Sequence, residues 1–154
     1  MTEYRRATAG DIDELMRVRM DFLQDLGKVG RGEEERKLIG TVREFLARAL
    51  AGDDYVHFIA VEDGKIIGTS SISFYFIPPN AVHPTGKVGY IANMFTYPEH
   101  RGKGIGSKLF ALSVEAAKEA GCGEVSLDAT EAGRPVYERY GFETNEKAMI
   151  YFIK

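Results

Sequence analysis

The sequence predicts a mixed α/β fold in which helices cover both faces of one sheet. Helical and strand-like segments follow one another in the order β-α-α-β-β-β-α-β-α-β, with no internal repeat or low-complexity linker. Asp63-Gly64 lies between two strand-like runs and is typical of a two-residue hairpin, so the sheet is expected to be mostly antiparallel. The run Val88 to Thr96 carries few charges, which is typical of a central strand.

The N-terminal part of the chain is predicted to form one short strand and two helices. Tyr4 to Ala7 is strand-like, and Thr8 to Asp11 resembles a helix start. A glycine-bearing break over Lys28 to Gly32 precedes a second helix, whose apolar positions run from Leu38 to Leu50 and end at Gly52. The first helix has a mostly apolar stripe that comprises Ile12, Leu15, Met16, Arg19, Phe22, Leu23 and Leu26.

The rest of the chain is predicted to alternate strands and helices. Val56 to Val61 and Lys65 to Phe76 are the strands of the hairpin, and prolines between positions 78 and 84 mark a surface loop. The later elements are a helix from Ile105 to Gly121, a strand over Glu124 to Ala129, a short helix over Pro135 to Tyr140 and a last strand over Ala148 to Ile153.

Length and composition exclude several classes of protein. A chain of 154 residues with 44% hydrophobic content is expected to fold as one domain over residues 1–154. The net charge is -3 and the basic residues are dispersed along the chain, so no positively charged patch for nucleic acid is expected. The single cysteine, Cys122, cannot form an internal disulfide, and no Cys/His spacing suggests a metal site. No leader or membrane span is recognisable, so we expect a metal-free, cytoplasmic protein with no membrane role.

The run Arg101 to Ser107, between an apolar strand and an amphipathic helix, predicts a phosphate site. Gly102, Gly104 and Gly106 remove the Cβ atoms that would keep an anion from the backbone N–H groups. The following helix directs its unpaired amides and the positive end of its dipole at the same place. A tight strand-to-helix turn without a ligand is the structural alternative.

Two common phosphate-binding patterns do not fit this run. A nucleoside-triphosphatase loop needs a glycine five residues before Gly102-Lys103 and a hydroxyl residue after it, but Tyr97 and Gly104 occupy those places. A dinucleotide fingerprint needs a third glycine where the chain has Leu109 or Ser107, and the hairpin contradicts an all-parallel sheet.

Arg101-Gly-Lys-Gly104-Ile-Gly106, with Pro98 before it and Tyr137-Glu-Arg-Tyr-Gly141-Phe142 after it, resembles the GNAT superfamily of N-acetyltransferases. The resemblance is strongest from Val88 to Phe142. It implies a mixed sheet with a splayed central strand pair, and acetyl-coenzyme A (acetyl-CoA) as cosubstrate without a metal. The implied contacts are the backbone of Asn93, Met94, Phe95 and Thr96 for the pantetheine arm, and Arg101, Gly102, Lys103, Gly104, Ile105, Gly106 and Ser107 for the pyrophosphate.

The resemblance also implies the catalytic residues. Tyr137 matches the residue that protonates or stabilises the departing thiolate, with Tyr140 as the alternative that would leave Tyr137 in the core. Location alone makes Glu99 and Asp128 candidate bases, with Tyr90 and Asn93 as water-positioning residues, and a solvated loop residue is the alternative for Glu99. Thr130 stands where the family commonly has an asparagine that contacts the cofactor. His57 is expected to be structural, because no partner lies at a recognisable spacing.

The implied activity is acetyl transfer to a primary amine by direct attack in a ternary complex. A catalytically silent acyl-CoA-binding sensor or assembly module is the alternative. The resemblance further implies a homodimer, and acceptor selection by the segments 22–36 and 75–87. Glu33, Glu34 and Glu35 either attract a cationic amine or form a solvated helix N-terminus. The sequence does not identify the amine.

Overall fold

A computed structural model describes residues 1–154 as a five-stranded sheet with helices on both faces. The antiparallel pairs run from β1 to β4, and β4 and β5 are parallel, so the predicted mixed sheet is confirmed. The strands lie in chain order and are β1 (Glu3–Arg6), β2 (Tyr55–Glu62), β3 (Lys65–Phe76), β4 (Lys87–Thr96) and β5 (Glu124–Leu127). The helices are α1 (Ile12–Asp25), α2 (Glu33–Ala51), α3 (Ile105–Glu119) and α4 (Arg134–Tyr140).

The hairpin between β2 and β3 has the predicted two-residue turn. Glu62 pairs with Lys65, and the intervening Asp63 and Gly64 have φ values of 51° and 75°. Positive φ at both central residues matches the right-handed twist of the flanking strands, and the Asp-Gly pair tolerates it. This turn therefore sets the register of the antiparallel half of the sheet.

The side chains of the sheet alternate between two apolar layers. On one face Ile59, Ile66 and Phe95 pack against α1 and α2, in a cluster with Leu15 and Leu46. On the other face Phe58, Ile72 and Ile91 pack against α3 and α4, in a cluster that includes Leu109, Phe110 and Tyr137. Successive residues of a strand point to opposite faces, so adjacent positions such as Phe58 and Ile59 serve different layers.

The predicted strand over Ala148–Ile153 is wrong for the isolated chain. These residues belong to no strand, and the five apolar side chains from Met149 to Ile153 are 71–95% exposed. A strand exists only where its N–H and C=O groups meet those of a neighbour, and no strand of this chain pairs with the tail. β5 likewise ends at Leu127 rather than Ala129, and only one of its edges is paired.

Candidate active site

The parallel pairing of β4 and β5 stops halfway along β4. It runs from Val88 opposite Glu124 to Ile91 opposite Leu127, whereas β4 continues to Thr96. Residues 92–96 therefore have a neighbour on the β3 side only, which is the predicted splay. An open strand edge can accept an extended ligand as it would accept another strand.

A bulge interrupts β4 at the start of this open edge. Asn93 has φ 56°, which is uncommon for a residue other than glycine, and the pairing with β3 shifts between Thr69 and Ser71. The Thr69 hydroxyl donates to the Asn93 carbonyl at 2.7 Å, and the Ser71 hydroxyl donates to the Ala92 carbonyl at 3.2 Å. The two hydroxyls thus hold the irregular backbone in one position.

The glycine-rich loop follows the end of β4 and leads into α3. Gly102 and Gly104 have φ values of 79° and 80°, in the left-handed region that glycine adopts without strain. The N–H groups of Gly102, Lys103 and Gly104 donate to no backbone carbonyl, and the first α3 bond runs from Lys108 to Gly104. The first-turn amides of α3 have no intrahelical partner either, so the loop presents a row of free donors beside the open edge of β4.

Arg101 differs from the rest of this loop. Its amide donates to the Pro98 carbonyl at 3.2 Å, its Nε donates to the Thr96 carbonyl at 2.8 Å, and its guanidinium lies 3.9 Å from Asp25. Both the amide and the side chain of Arg101 therefore act within the chain, where they fix the loop against β4. The free donors begin at Gly102.

Tyr137 lies on α4, on the α3 side of the sheet. Its ring is buried, 5.0 Å from the Phe110 ring, in the apolar cluster against which Met94 also packs. No side-chain hydrogen bond involves the Tyr137 hydroxyl in the structure, and burial raises its pKa. The hydroxyl is therefore protonated at neutral pH and available as a donor.

Thr130 caps the turn before α4. Its hydroxyl accepts the Gly133 N–H at 3.1 Å, and its carbonyl accepts the Arg134 N–H at 3.0 Å. The threonine at the family's asparagine position thus supports the helix that carries Tyr137.

The two candidate bases lie in different places. Glu99 is exposed in the turn after β4 and does not line the cavity described next. Asp128 accepts the Tyr90 hydroxyl at 2.7 Å, and Tyr90 lines that cavity. Burial and the Asp128 carboxylate raise the pKa of Tyr90 to about 12.

A cavity of about 340 Å³, partly open to solvent, lies between the sheet and the two N-terminal helices. Asn93 lines it from the β4 bulge, so the cavity reaches the open edge of β4. Its walls comprise Leu15, Arg19, Thr41, Val42, Phe45, Leu46, Tyr55, His57, Ser71, Ser73, Tyr90, Ala92 and Asn93.

The expected acceptor segments, 22–36 and 75–87, do not line this cavity. Its helical walls come from the middle of α1 and α2, because these parts pack directly over β2 to β4. Glu33 to Glu35 lie in the first turn of α2, outside the walls, where Glu33 is 3.6 Å from Lys37. The sequence alone does not locate this cavity, since its walls are distant along the chain.

The structure has no group of three or more His, Cys, Asp or Glu side chains arranged to hold a metal ion. None of its helices has the length and apolar character needed to cross a membrane.

Several known proteins with a similar sequence or structure are named acetyltransferases. Residues 13–142 match the model of the acetyltransferase (GNAT) family. A probable glucosamine 6-phosphate N-acetyltransferase 2 from Oryza sativa is 34% identical over 121 residues, which cover 73% of this chain and 71% of that protein.

Two crystal structures align over nearly the whole chain. A predicted acetyltransferase from Clostridium acetobutylicum, solved with acetyl-CoA, has a TM-score of 0.88 and 34% identity, and the match covers 99% of this chain and 96% of that one. A GCN5-related N-acetyltransferase from Ralstonia eutropha has a TM-score of 0.83 and 27% identity, with 99% of each chain covered.

The open edge of β4, the free amides after it and the family match together confirm the resemblance carried by Arg101–Gly106 and Tyr137–Phe142. The chain belongs to the GNAT family of acetyltransferases.

Proposed function

We propose that this N-acetyltransferase transfers the acetyl group of acetyl-CoA directly to an amine held in the cavity beneath α1 and α2. The observation that carries the proposal is the position of the β4 bulge. The Asn93 side chain faces the cavity on one side of the sheet, and Met94 packs with the Tyr137 cluster on the other. An acceptor and a departing thiol would therefore meet the bulge from opposite sides.

The free amides after β4 fit the pyrophosphate of the cosubstrate. The donors from Gly102 to Ser107 and the dipole of α3 would hold the phosphates, and Lys103 adds a positive charge. The backbone from Asn93 to Thr96 would hold the pantetheine arm along the open edge. Acetyl-CoA supplies a thioester, whose carbonyl carbon is the electrophile.

Tyr137 serves as the proton donor in this proposal. The amine nitrogen bonds to the carbonyl carbon, the C–S bond breaks, and the sulfur keeps its electron pair and takes the proton of the Tyr137 hydroxyl. Tyr137 regains a proton from water as the thiol leaves. The ordinary pKa of tyrosine is about 10 and that of a thiol about 8.5, so full transfer to a free thiolate is uphill by roughly 2 kcal/mol. Tyr137 therefore acts while the C–S bond is still partly formed, and the Met94 amide polarises the carbonyl.

The proton of the amine leaves on the cavity side. Both candidate bases are exposed and neither lines the cavity, but the geometry favours Asp128, because Tyr90 lines the cavity and donates to the Asp128 carboxylate. Water ordered by Tyr90 and Asn93 would link the amine to that carboxylate.

A thiol-release assay across a panel of amines tests the proposed function. Amine-dependent release of coenzyme A, with an acetylated product identified by mass spectrometry, supports the enzyme. Tight binding of acetyl-CoA with no release on a broad panel would support the silent sensor or assembly module instead.

We also propose that two copies of the chain form a dimer by exchanging their C-terminal tails. Residues 148–153 have a strand-forming composition and no partner, and one edge of β5 is unpaired. Covering the five apolar side chains from Met149 to Ile153 would contribute roughly 1.5–3 kcal/mol each. The tail of one protomer would therefore extend the sheet of the other at β5.

Deletion of residues 148–154 is expected to convert the dimer into a monomer. Light scattering coupled to size-exclusion chromatography should give twice 17.1 kDa for the full chain and about one chain mass for the truncated form. Glu3→Ala changes an exposed side chain of β1, the strand at the opposite edge of the sheet from β5, and should leave the dimer intact. A monomeric full-length chain, or a truncated chain that still dimerises, would contradict the exchange.

A further inference from the structure

An arginine without an acidic partner lines the proposed acceptor cavity. Arg19 is half-buried on α1, and its guanidinium donates to the Asn93 Oδ1 at 2.7 Å. No carboxylate lies within 4.0 Å of it, whereas Arg17 on the same helix pairs with Glu14 and Asp21. Burial of a charge is costly unless an opposite charge compensates it, so Arg19 is an unusual residue for a cavity wall.

The rest of the cavity does not compensate this charge. None of its thirteen lining residues is Asp or Glu. Burial lowers the pKa of Arg19, and the groups that oppose this shift are the tyrosines Tyr55 and Tyr90 rather than a carboxylate. Arginine keeps its proton under all ordinary conditions, so the cavity carries one positive charge.

A second polar group in the same wall also lacks a partner. His57 is 4% exposed, and its Nε2 makes no hydrogen bond. Its Nδ1 lies 2.8 Å from the Tyr55 hydroxyl, and either group can be the donor in that bond. Burial lowers the pKa of His57 to about 3, so the ring is neutral. When the Tyr55 hydroxyl donates to Nδ1, the imidazole proton lies on Nε2 and can be donated to a ligand.

Arg19 and His57 together make the wall a site for a negatively charged group. Both residues also line a smaller adjoining cavity with Asn93, so they border the same space. A guanidinium and an N–H donor suit a carboxylate or a phosphate, since charge-assisted bonds to such groups are the stronger kind. Val42, Phe45 and Leu46 on α2 provide an apolar wall for the rest of the ligand.

From this geometry we infer that the acceptor is an amine that also carries an anionic group, a carboxylate or a phosphate, bound by Arg19. The inference rests on the proposed acetyl transfer and adds the chemical class of the acceptor. Polyamines and other polycations are excluded as good acceptors, because the cavity offers no carboxylate for a second ammonium and would repel it.

Matched amines that differ only in the anionic group test the inference. Leucine and isopentylamine differ by a carboxylate, and glucosamine 6-phosphate and glucosamine differ by a phosphate. Spermidine represents the polycations. Thiol release gives kcat/KM for each amine. We expect the anionic member of at least one pair to be favoured about tenfold or more.

Arg19→Gln should remove that preference by lowering kcat/KM for the anionic amine at least about tenfold. The kcat/KM for the neutral amine should change by less than about twofold. Arg19→Lys should restore part of it. Arg43→Gln removes an exposed charge of α2 that pairs with Asp13 outside the cavity, and the preference should persist. An equal effect of Arg19→Gln on both members of a pair would assign Arg19 to positioning of Asn93 instead.

Calorimetry of the same amines with the enzyme–coenzyme A complex gives a readout that needs no turnover. Tighter binding of an anionic amine than of its neutral counterpart, lost in Arg19→Gln, supports the inference even if the thiol assay fails. Turnover of neutral amines or spermidine, with no anion preference in either assay, would overturn the inference and leave the acetyltransferase proposal standing.

Discussion

Replacing Tyr137 by phenylalanine is expected to lower kcat about 100-fold or more and to change the Kd for acetyl-CoA by less than about twofold. The substitution removes only the hydroxyl, which makes no hydrogen bond within the chain. The ring keeps its packing 5.0 Å from Phe110 and beside Phe142, so the fold should be preserved. Steady-state kinetics with a productive amine and calorimetry with acetyl-CoA measure the two quantities.

Tyr140→Phe is the matched control for this substitution. Tyr140 lies one turn further along α4, stacks on the same Phe110 ring at 5.2 Å and is 45% exposed. Loss of its hydroxyl should leave both kcat and Kd unchanged. Full activity of Tyr137→Phe, or an equal loss in Tyr140→Phe, would remove Tyr137 from the proton transfer.

The antiparallel half of the fold was predictable because its signals are local. Asp63-Gly64 sets a hairpin through the φ values that those two residues tolerate, and Gly102 and Gly104 mark a left-handed loop in the same way. The position of Tyr137 after that loop came from the family resemblance, not from any backbone preference. The loop and α4 lie where these patterns place them.

The cavity was not predictable, because it depends on how α1 and α2 pack on the sheet. Its walls join residues as distant in sequence as Leu15 and Asn93. One signal was present: Arg19 interrupts a helical stripe that is otherwise apolar, at a position that faces the sheet. A charge in such a stripe indicates either a buried ion pair or a ligand site, and only the structure shows that no acid accompanies it.

The tail shows why a strand prediction can fail. Ala148 to Ile153 has the composition of a strand, but pairing depends on a neighbour that local sequence does not specify. The isolated chain supplies none, and the proposed exchange between protomers would supply it at the free edge of β5.

Replacing Gly104 by valine is expected to raise the Kd for acetyl-CoA about 100-fold. Gly104 caps α3 with φ 80°, and holding a β-branched residue there costs of order 1–3 kcal/mol of backbone strain. The loop would therefore adopt another conformation. The free amides of the loop and of the first turn of α3 would then no longer converge on one anion. Calorimetry with acetyl-CoA measures the loss, and thermal unfolding checks that the variant is folded.

Two comparisons separate loss of the phosphate site from general damage. Gly121→Val places the same side chain at the same φ of 80° after the C-terminal end of α3, where no atom lies within 4 Å of the new Cβ, and it should bind acetyl-CoA nearly as well as the parent chain. Acetyl-pantetheine lacks the pyrophosphate, so its kcat/KM should be the same in Gly104→Val and the parent chain. If Gly104→Val instead weakened both thioesters equally, the loop would support the open edge of β4 rather than bind phosphate. Unchanged affinity for acetyl-CoA would mean that the free amides from Gly102 to Ser107 have another use.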